Sequence, residues 1–210
     1  MKPFANIASP TGNVVFNFTG DMIRDLGAFA LGYRRAARML ATPFSGGGYA
    51  DYDGYPVLYL YRHSLELYMK MVVYRGAMLM GLIGKQYPDV PGLFSKHGLE
   101  RLLPAVRSIF KAMQWDFKDT TVGTFDEFER VVRAVDQIDP GSYTFRYPMN
   151  PAGKAHLPHH FTMNVANFGE AMDVLLGYLE GAADLLDETL QLEAEARYEV
   201  QQLLVEEGGA

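Results

Sequence analysis

Regularly spaced ionisable residues stand inside the most apolar part of this chain, between Val57 and Ile83. Arg62, Glu66 and Lys70 follow one another at four-residue intervals, so on a helix they share one face. Burying a charge costs free energy unless a partner neutralises it or a function uses it. The spacing therefore predicts one of two arrangements: a closed ion-pair network that fixes helix packing, or one wall of a ligand-binding cavity.

Two histidines and a further arginine add candidates for acid–base chemistry or anion binding. His63 adjoins the charged stripe, and His97 stands at a predicted helix start. Each is either a structural residue or a general acid or base. Arg146 lies in the aromatic sequence Phe-Arg-Tyr-Pro, and its planar fork of donors suits a carboxylate across the fold or a bound anion.

Three more histidines in one segment have some features of a metal site. His156 and His160 show the four-residue spacing of helical ligands, but Pro158 between them opposes a regular helix. The Glu-x-x-His motif of di-iron bundles occurs only in reverse order, from His63 to Glu66. The chain has no cysteine to supply a thiolate. We therefore predict neither a metal site nor a cofactor.

Charge is unevenly distributed along a chain of ordinary globular composition. The 210 residues are 49% hydrophobic and carry a net charge of −6. Residues 1–120 contain 14 Lys or Arg against 9 Asp or Glu, whereas residues 121–210 contain 5 against 16. The acidic total argues against general coating of nucleic acid, but the basic half leaves room for a small anion or a short RNA contact. With no signal peptide and no apolar run of about 18 residues, we expect a cytoplasmic protein outside the membrane.

Apolar periodicity, helix caps and breakers predict the elements that position these groups. Residues 1–18 are predicted to form an extended arm and residues 19–207 a bundle, together one domain over 1–210. The predicted helices run from Thr19 or Asp21 to about Leu40, Tyr55 to Gly81 or Gly84, His97 or Gly98 to Met113, Thr124 to about Ile138, and Thr162 or Asn164 to about Leu204. The fold class is therefore all-α, an up-and-down bundle of about five helices with a long C-terminal helix.

The segment from Tyr59 to Lys70, Tyr-Leu-Tyr-Arg-His-Ser-Leu-Glu-Leu-Tyr-Met-Lys, resembles small prokaryotic HEPN-like helical proteins. His97-Gly98-Leu99-Glu100-Arg101-Leu102-Leu103 is similar to the start of a later helix in them, and Phe145-Arg146-Tyr147-Pro148 followed by Gly153 also resembles members of this group. The resemblance covers roughly residues 55–180. It implies a helical bundle, frequent homodimers, and RNA cleavage or nucleotide binding in defence or toxin–antitoxin systems. The family's ribonuclease motif, an Arg followed four to six residues later by His, does not occur here.

The sequence and the resemblance together predict a module that binds an anionic ligand such as a nucleotide or RNA. The candidate ligand-binding residues are Arg62, Glu66, Lys70, His97 and Arg146. One alternative is a metal-independent ribonuclease, with His63 or His97 as acid and base and Arg62 or Arg146 at the phosphate. The other is a structural or interaction protein whose buried charges only fix the fold. Whether the protein is an enzyme is left open.

Overall fold

Five α-helices make up most of the part of the chain that the structure describes. The computed structural model describes residues 14, 20, 22–86, 92–117 and 122–208. Its helices are α1 (Met22–Gly46), α2 (Gly54–Leu82), α3 (Leu103–Ala112), α4 (Phe125–Ile138) and α5 (Val165–Gly208). Short 3-10 turns occupy Asp51–Asp53, Leu93–Ser95 and Glu100–Leu102. These bounds confirm the all-α class and the long C-terminal helix. The predicted arm, residues 1–18, lies outside the described residues apart from Val14.

No β-strand forms within these described ranges, where the nearest approach is an isolated antiparallel bridge between Met149 and Ala155. The described helices also include none that is long and apolar enough to cross a membrane.

Helix α2 lies at the centre of the bundle because it is apolar around most of its circumference. It packs mainly against α1 and α5, and against α3 on another side. Val57, Leu65, Met69 and Val73 are completely buried along it. Burying a side chain of this size contributes about 1.5–3 kcal/mol, so the helix is held firmly in place. The charged stripe is therefore placed in the interior of the molecule.

An aromatic cluster joins α3 to α4. Phe117 stacks on Phe110 of α3 and on Phe128 of α4, each with 5.1 Å between ring centroids. A capping box starts α4: the Thr124 hydroxyl accepts from the Glu127 N–H, and the Glu127 carboxylate accepts from the Thr124 N–H. The other end of α4 lies beside α2, where Asp136 and the C-cap residue Asp139 supply two carboxylates.

The uneven charge of the sequence is partly neutralised between α1 and α5. Arg34 binds Asp173 at 3.2 Å and Glu180 at 2.8 Å, and Arg38 binds the second oxygen of Asp173 at 2.8 Å. The arginines of the basic half therefore pair with carboxylates of the acidic half within one chain.

Two prolines show where helix boundaries depart from the sequence pattern. Helix α1 was expected to stop near Leu40, but it continues through Pro43. Proline there has no N–H to donate to the carbonyl of Met39 and its ring crowds that carbonyl, but Met39 is exposed, so water can donate to the carbonyl instead. Pro104 lies in the first turn of α3, where a missing donor costs least. The 3-10 turn Glu100–Leu102 precedes it, so α3 begins at Leu103 and not at His97 or Gly98 as the sequence pattern predicted.

Candidate functional site

Arg62 is completely buried, and it joins three segments of the chain. Its Nη1 donates to the Glu66 carboxylate at 2.8 Å, within α2. Its Nη2 donates to the carbonyl of His97 at 2.6 Å, and its Nε donates to the carbonyl of Asp139 at 3.0 Å. All three nitrogens of the guanidinium are therefore engaged by protein groups.

Glu66 links Arg62 to the next cation and to the protein surface. Its Oε1 accepts from Lys70 Nζ at 2.7 Å and lies 3.0 Å from the Nδ1 of His97. Burial acts to raise the pKa of Glu66, but hydrogen bonds from Lys70, His97 and Arg62 outweigh it, so the pKa lies below its ordinary value. Glu66 is therefore an ionised carboxylate held between cations.

Two carboxylates at the end of α4 complete the cluster: Asp136 in its last turn and Asp139 at its C-cap. Asp139 is fully buried; its Oδ1 accepts from the N–H groups of Tyr143 at 2.7 Å and Thr144 at 2.9 Å. Its Oδ2 lies 3.4 Å from the Nε of Arg62. Asp139 thus ties the turn that follows α4 directly to α2.

Asp136 ties the segment before α3 to α2 in the same way. Its Oδ1 accepts from the Leu99 N–H at 2.7 Å and lies 3.5 Å from the Nη2 of Arg62. Burial raises the pKa of Asp136, although the Leu99 N–H and the charge of Arg62 oppose the shift. We call Arg62, Glu66, Lys70, Asp136 and Asp139 the buried network.

The buried network is closed. It contains two cations and three carboxylates, and every one of these side chains is at most a tenth exposed. Its donors face carboxylates and backbone carbonyls, including that of Phe94, 3.5 Å from Lys70 Nζ. Of the two arrangements that the spacing predicts, this is the ion-pair network. Arg62, Glu66 and Lys70 are therefore placed to position other residues, and not to contact a ligand directly.

Arg146 lies outside this network, on an exposed aromatic surface. Its guanidinium carbon is 5.0 Å from the ring centroid of Tyr143, 5.4 Å from that of Tyr59 and 5.8 Å from that of Tyr147. Its Nε donates to the carbonyl of Ser142. No carboxylate among the described residues forms an ion pair with it.

His63 extends the same surface towards α1. Its ring stacks on Tyr59 at 5.7 Å and meets the edge of Tyr33 at 4.5 Å, between centroids. Burial lowers the pKa of His63, although the charge of Glu66 opposes the shift, so the ring is neutral near pH 7. The surface formed by Tyr33, Tyr59, His63, Tyr143, Arg146 and Tyr147 is called the Arg146 patch.

The structure therefore divides the predicted site residues into two groups. Arg62, Glu66 and Lys70 lie in the buried network, and His97 covers them with a side chain that is 57% exposed. Arg146 and His63 lie together on the Arg146 patch. The loop histidines at 156, 159 and 160 join neither group. Within the described ranges, no three His, Asp or Glu side chains are placed to hold a metal ion.

Sequence reasoning missed Asp136 and Asp139. A signal for Asp139 was present, because Asp before Pro140-Gly141 is a common turn residue whose carboxylate accepts from the backbone that follows. Asp136 and Asp139 also lie only three residues apart, one in the last turn of α4 and one at its C-cap. No pattern in the sequence pointed from either of them to Arg62.

Comparisons with known proteins give no match: no protein-family model, curated protein or solved structure is significantly similar to this chain.

The lowered pKa of Glu66 predicts how stability changes in acid. A depressed carboxyl pKa stabilises the fold above the ordinary value of 4.5, and this contribution is lost as the pH falls through the folded-state pKa. Glu66→Gln should therefore be less stable than wild type at pH 7 and lose less stability between pH 5 and pH 2. Urea unfolding across that range measures the difference.

Asp136→Asn is the matched control, because the pKa of Asp136 shifts in the opposite direction. Its raised pKa partly offsets the acid-induced loss, so removing it should steepen the acid dependence. Parallel curves for wild type and Glu66→Gln would contradict the assignment of Glu66.

Proposed function

We propose that this protein is a HEPN-like bundle that binds single-stranded RNA or free nucleotides at the Arg146 patch. The observation that carries the proposal is the exposed guanidinium of Arg146, which lies over three tyrosine rings and has no carboxylate partner among the described residues. The buried cations Arg62 and Lys70, by contrast, are both paired with Glu66.

The chemistry of the patch suits a planar base joined to a phosphate. Tyrosine rings stack on bases of any sequence, at about 1–3 kcal/mol for each base. The terminal nitrogens of Arg146 can bind a phosphate through two parallel hydrogen bonds. Tyr143 and Tyr147 are each about half exposed and so remain accessible to a ligand. The neutral ring of His63 can donate one hydrogen bond and accept another.

The buried network supports this site by positioning it. Asp139 holds the N–H groups of Tyr143 and Thr144, and Arg62 holds Asp139. The turn that carries Tyr143, Arg146 and Tyr147 is thereby fixed to α2, which carries Tyr59. A preorganised surface loses less entropy when it binds a ligand.

The charge of the whole protein limits the length of the ligand. A net charge of −6 repels a polyanion at long range, so affinity must come from a few local contacts. The proposal therefore concerns a nucleotide or a short single-stranded segment, with weak dependence on base identity.

Arg146→Ala should weaken binding at least tenfold, which corresponds to about 1.4 kcal/mol. Arg146→Lys keeps the charge but lacks the fork, so its affinity should be intermediate. The measurement is fluorescence anisotropy with a labelled single-stranded RNA of about eight nucleotides, followed by competition with AMP and ATP. Recovering the RNA at full length separates binding from cleavage by His63 or His97.

Arg130→Ala is the matched control for that measurement. Arg130 is an arginine of α4 whose side chain is 75% exposed, with only a loose contact to Glu127 at 3.6 Å. Its removal changes the net charge by the same amount and should leave the affinity within about twofold, since a remote exposed charge contributes little. Equal losses for Arg146→Ala and Arg130→Ala, or no binding by folded wild type, would refute the proposal.

A further inference from the structure

Helix α5 continues well beyond the bundle that its first half helps to build. Its last side chain packed against the core is Leu190. From 191 to 205 its side chains are exposed, apart from the partly exposed Glu193. Those 15 residues extend for about 22 Å. Without packing, a helical segment of this length depends on propensity alone and is marginally stable in water.

An apolar line runs along the free side of this helix. At 100° per residue, Leu185, Leu192, Ala196 and Leu203 fall within about 40° of one another. The three leucines are between 52% and 60% exposed. We call these four residues the α5 stripe.

The α5 stripe leads directly into an apolar groove on the bundle. Tyr178 and Leu185 form one side of the groove, and Trp115 and Phe117 form part of the other side. Its volume is about 230 Å³. Tyr178 lies on the same face of α5 as the stripe, so groove and stripe form one surface about 38 Å long from Tyr178 to Leu203.

Carboxylates border this surface. Glu188, Glu195 and Glu199 lie along one edge of the stripe, and Arg197 is the only basic residue between 184 and 208. Glu195 and Glu199 are four residues apart, a spacing at which like charges destabilise a helix. A second copy of this helix would add further carboxylates, whereas a cationic partner would relieve the repulsion.

We propose that the groove and the α5 stripe bind a basic amphipathic helix of a partner protein. Its apolar residues, three or four positions apart, would lie on the stripe and fill the groove. Its lysines or arginines would lie against the carboxylates of the edge. This surface is separate from the Arg146 patch, and neither proposal depends on the other.

The experiment uses the full chain and a synthetic helix of about 18 residues, five turns, with leucines on one face and lysines beside them. A version with glutamates in place of the lysines is the charge control. Trp115 is the only tryptophan of the chain and lies in the groove, so its fluorescence reports docking of a peptide that lacks tryptophan. Hydrogen exchange of residues 191–205 reports whether the free part of α5 becomes protected.

The lysine peptide should bind, protect 191–205, and bind at least tenfold more weakly to a Leu192→Gln/Leu203→Gln variant. Glutamine has nearly the helix propensity of leucine, and the charges are unchanged, so only the apolar stripe is lost. Tyr198→Gln is the matched control on the other side of α5, with Tyr198 at 64% exposure, and should bind as wild type does. Raising the salt from about 0.1 to 1 M should weaken binding, because the screening length falls from about 10 to 3 Å.

Equal binding by wild type and the double leucine variant, or equal binding of the two peptides, would overturn the proposal. So would a wild-type dimer in sedimentation that becomes monomeric in the double leucine variant, because a second copy would then occupy the stripe. A dimer that both proteins form equally would lie on another face and, together with tight binding of the lysine peptide, would support it.

Discussion

Replacing Arg62 with methionine will lower the free energy of unfolding by about 3–5 kcal/mol, the usual cost of removing one partner from a buried ion pair. Methionine retains much of the length and apolar volume, so the loss reports on charge and hydrogen bonding. The substitution leaves Asp139 buried with a carboxylate oxygen that has no other close donor. It also removes the bonds that Arg62 makes to the carbonyls of His97 and Asp139. Urea unfolding at pH 7 measures the change.

If the buried network is closed, the stability losses from Arg62→Met and Glu66→Gln should not simply add. Once Arg62 is methionine, changing Glu66 to Gln removes a carboxylate that has already lost one of its cations. The double variant should therefore be more stable than the sum of the two single changes predicts, by about 0.5–3 kcal/mol. Arg130→Met is the control on an exposed arginine and should change stability by less than about 0.5 kcal/mol.

Unchanged or increased stability of Arg62→Met would contradict the closed network. If Arg62 were a strained binding group held open for a ligand, its replacement by an apolar side chain would leave stability unchanged or raise it. The two variants would then combine additively. In that case, the buried network would be a ligand-binding site whose charged groups pair with one another when the ligand is absent. The sequence-based assignment of Arg62 to ligand binding would then be supported.

The sequence predicted local relations well and distant ones poorly. The pairs Arg62–Glu66 and Glu66–Lys70 follow from helix geometry alone, because residues four apart share a face. The carboxylate of Asp139 lies 77 positions further along the chain than Arg62. Which loop meets which helix depends on the packing of whole elements, and no spacing in a single sequence encodes it.

The position of Arg146 also depended on distant contacts that the sequence does not encode. Its sequence was equally compatible with a partner across the bundle and with an exposed anion clamp. The structure places it over its neighbours Tyr143 and Tyr147 and over Tyr59. Glu66, the partner that the sequence offered it across the bundle, is already paired with Arg62 and Lys70.

Helix boundaries followed a similar rule. Thr124 starts α4 through a capping box that the sequence displays completely, so its start was predicted to the residue. The end of α1 was predicted too early, because the helix continues through Pro43, where water can donate to the carbonyl that loses its N–H partner. Whether water can reach that carbonyl depends on the folded structure, and the sequence alone does not show it.

Gly76 is a residue whose role only the packing reveals, and its replacement by alanine will destabilise the fold by about 1–3 kcal/mol. It lies in α2, where glycine is otherwise the poorer choice by about 1 kcal/mol. A Cβ added there would lie 2.5, 2.7 and 2.8 Å from three atoms of Ile109 in α3. Real contacts of this kind essentially never occur below 3.0 Å, so the side chain of Ile109 or the two helices would have to shift.

Gly32→Ala is the matched control, because the same methyl group is added inside α1 with no atom within 4 Å of it. That variant should be more stable than wild type by about 0.5–1 kcal/mol, through helix propensity alone. If Gly76→Ala lowers stability while Gly32→Ala raises it, the loss at Gly76 is due to the close contact between α2 and α3 and not to a general effect of replacing glycine. Chemical denaturation of both variants under one set of conditions gives the comparison.

The contact can be isolated further by removing its other side. Ile109→Ala deletes all three atoms that the new methyl group would meet, at a cost of about 2–5 kcal/mol for the cavity. In that background Gly76→Ala should be neutral or stabilising, because the methyl group enters vacated space and favours the helix. A Gly76→Ala penalty that persists in the Ile109→Ala background would show that the strain lies in α2 itself, and the close approach of α2 and α3 would not explain the glycine.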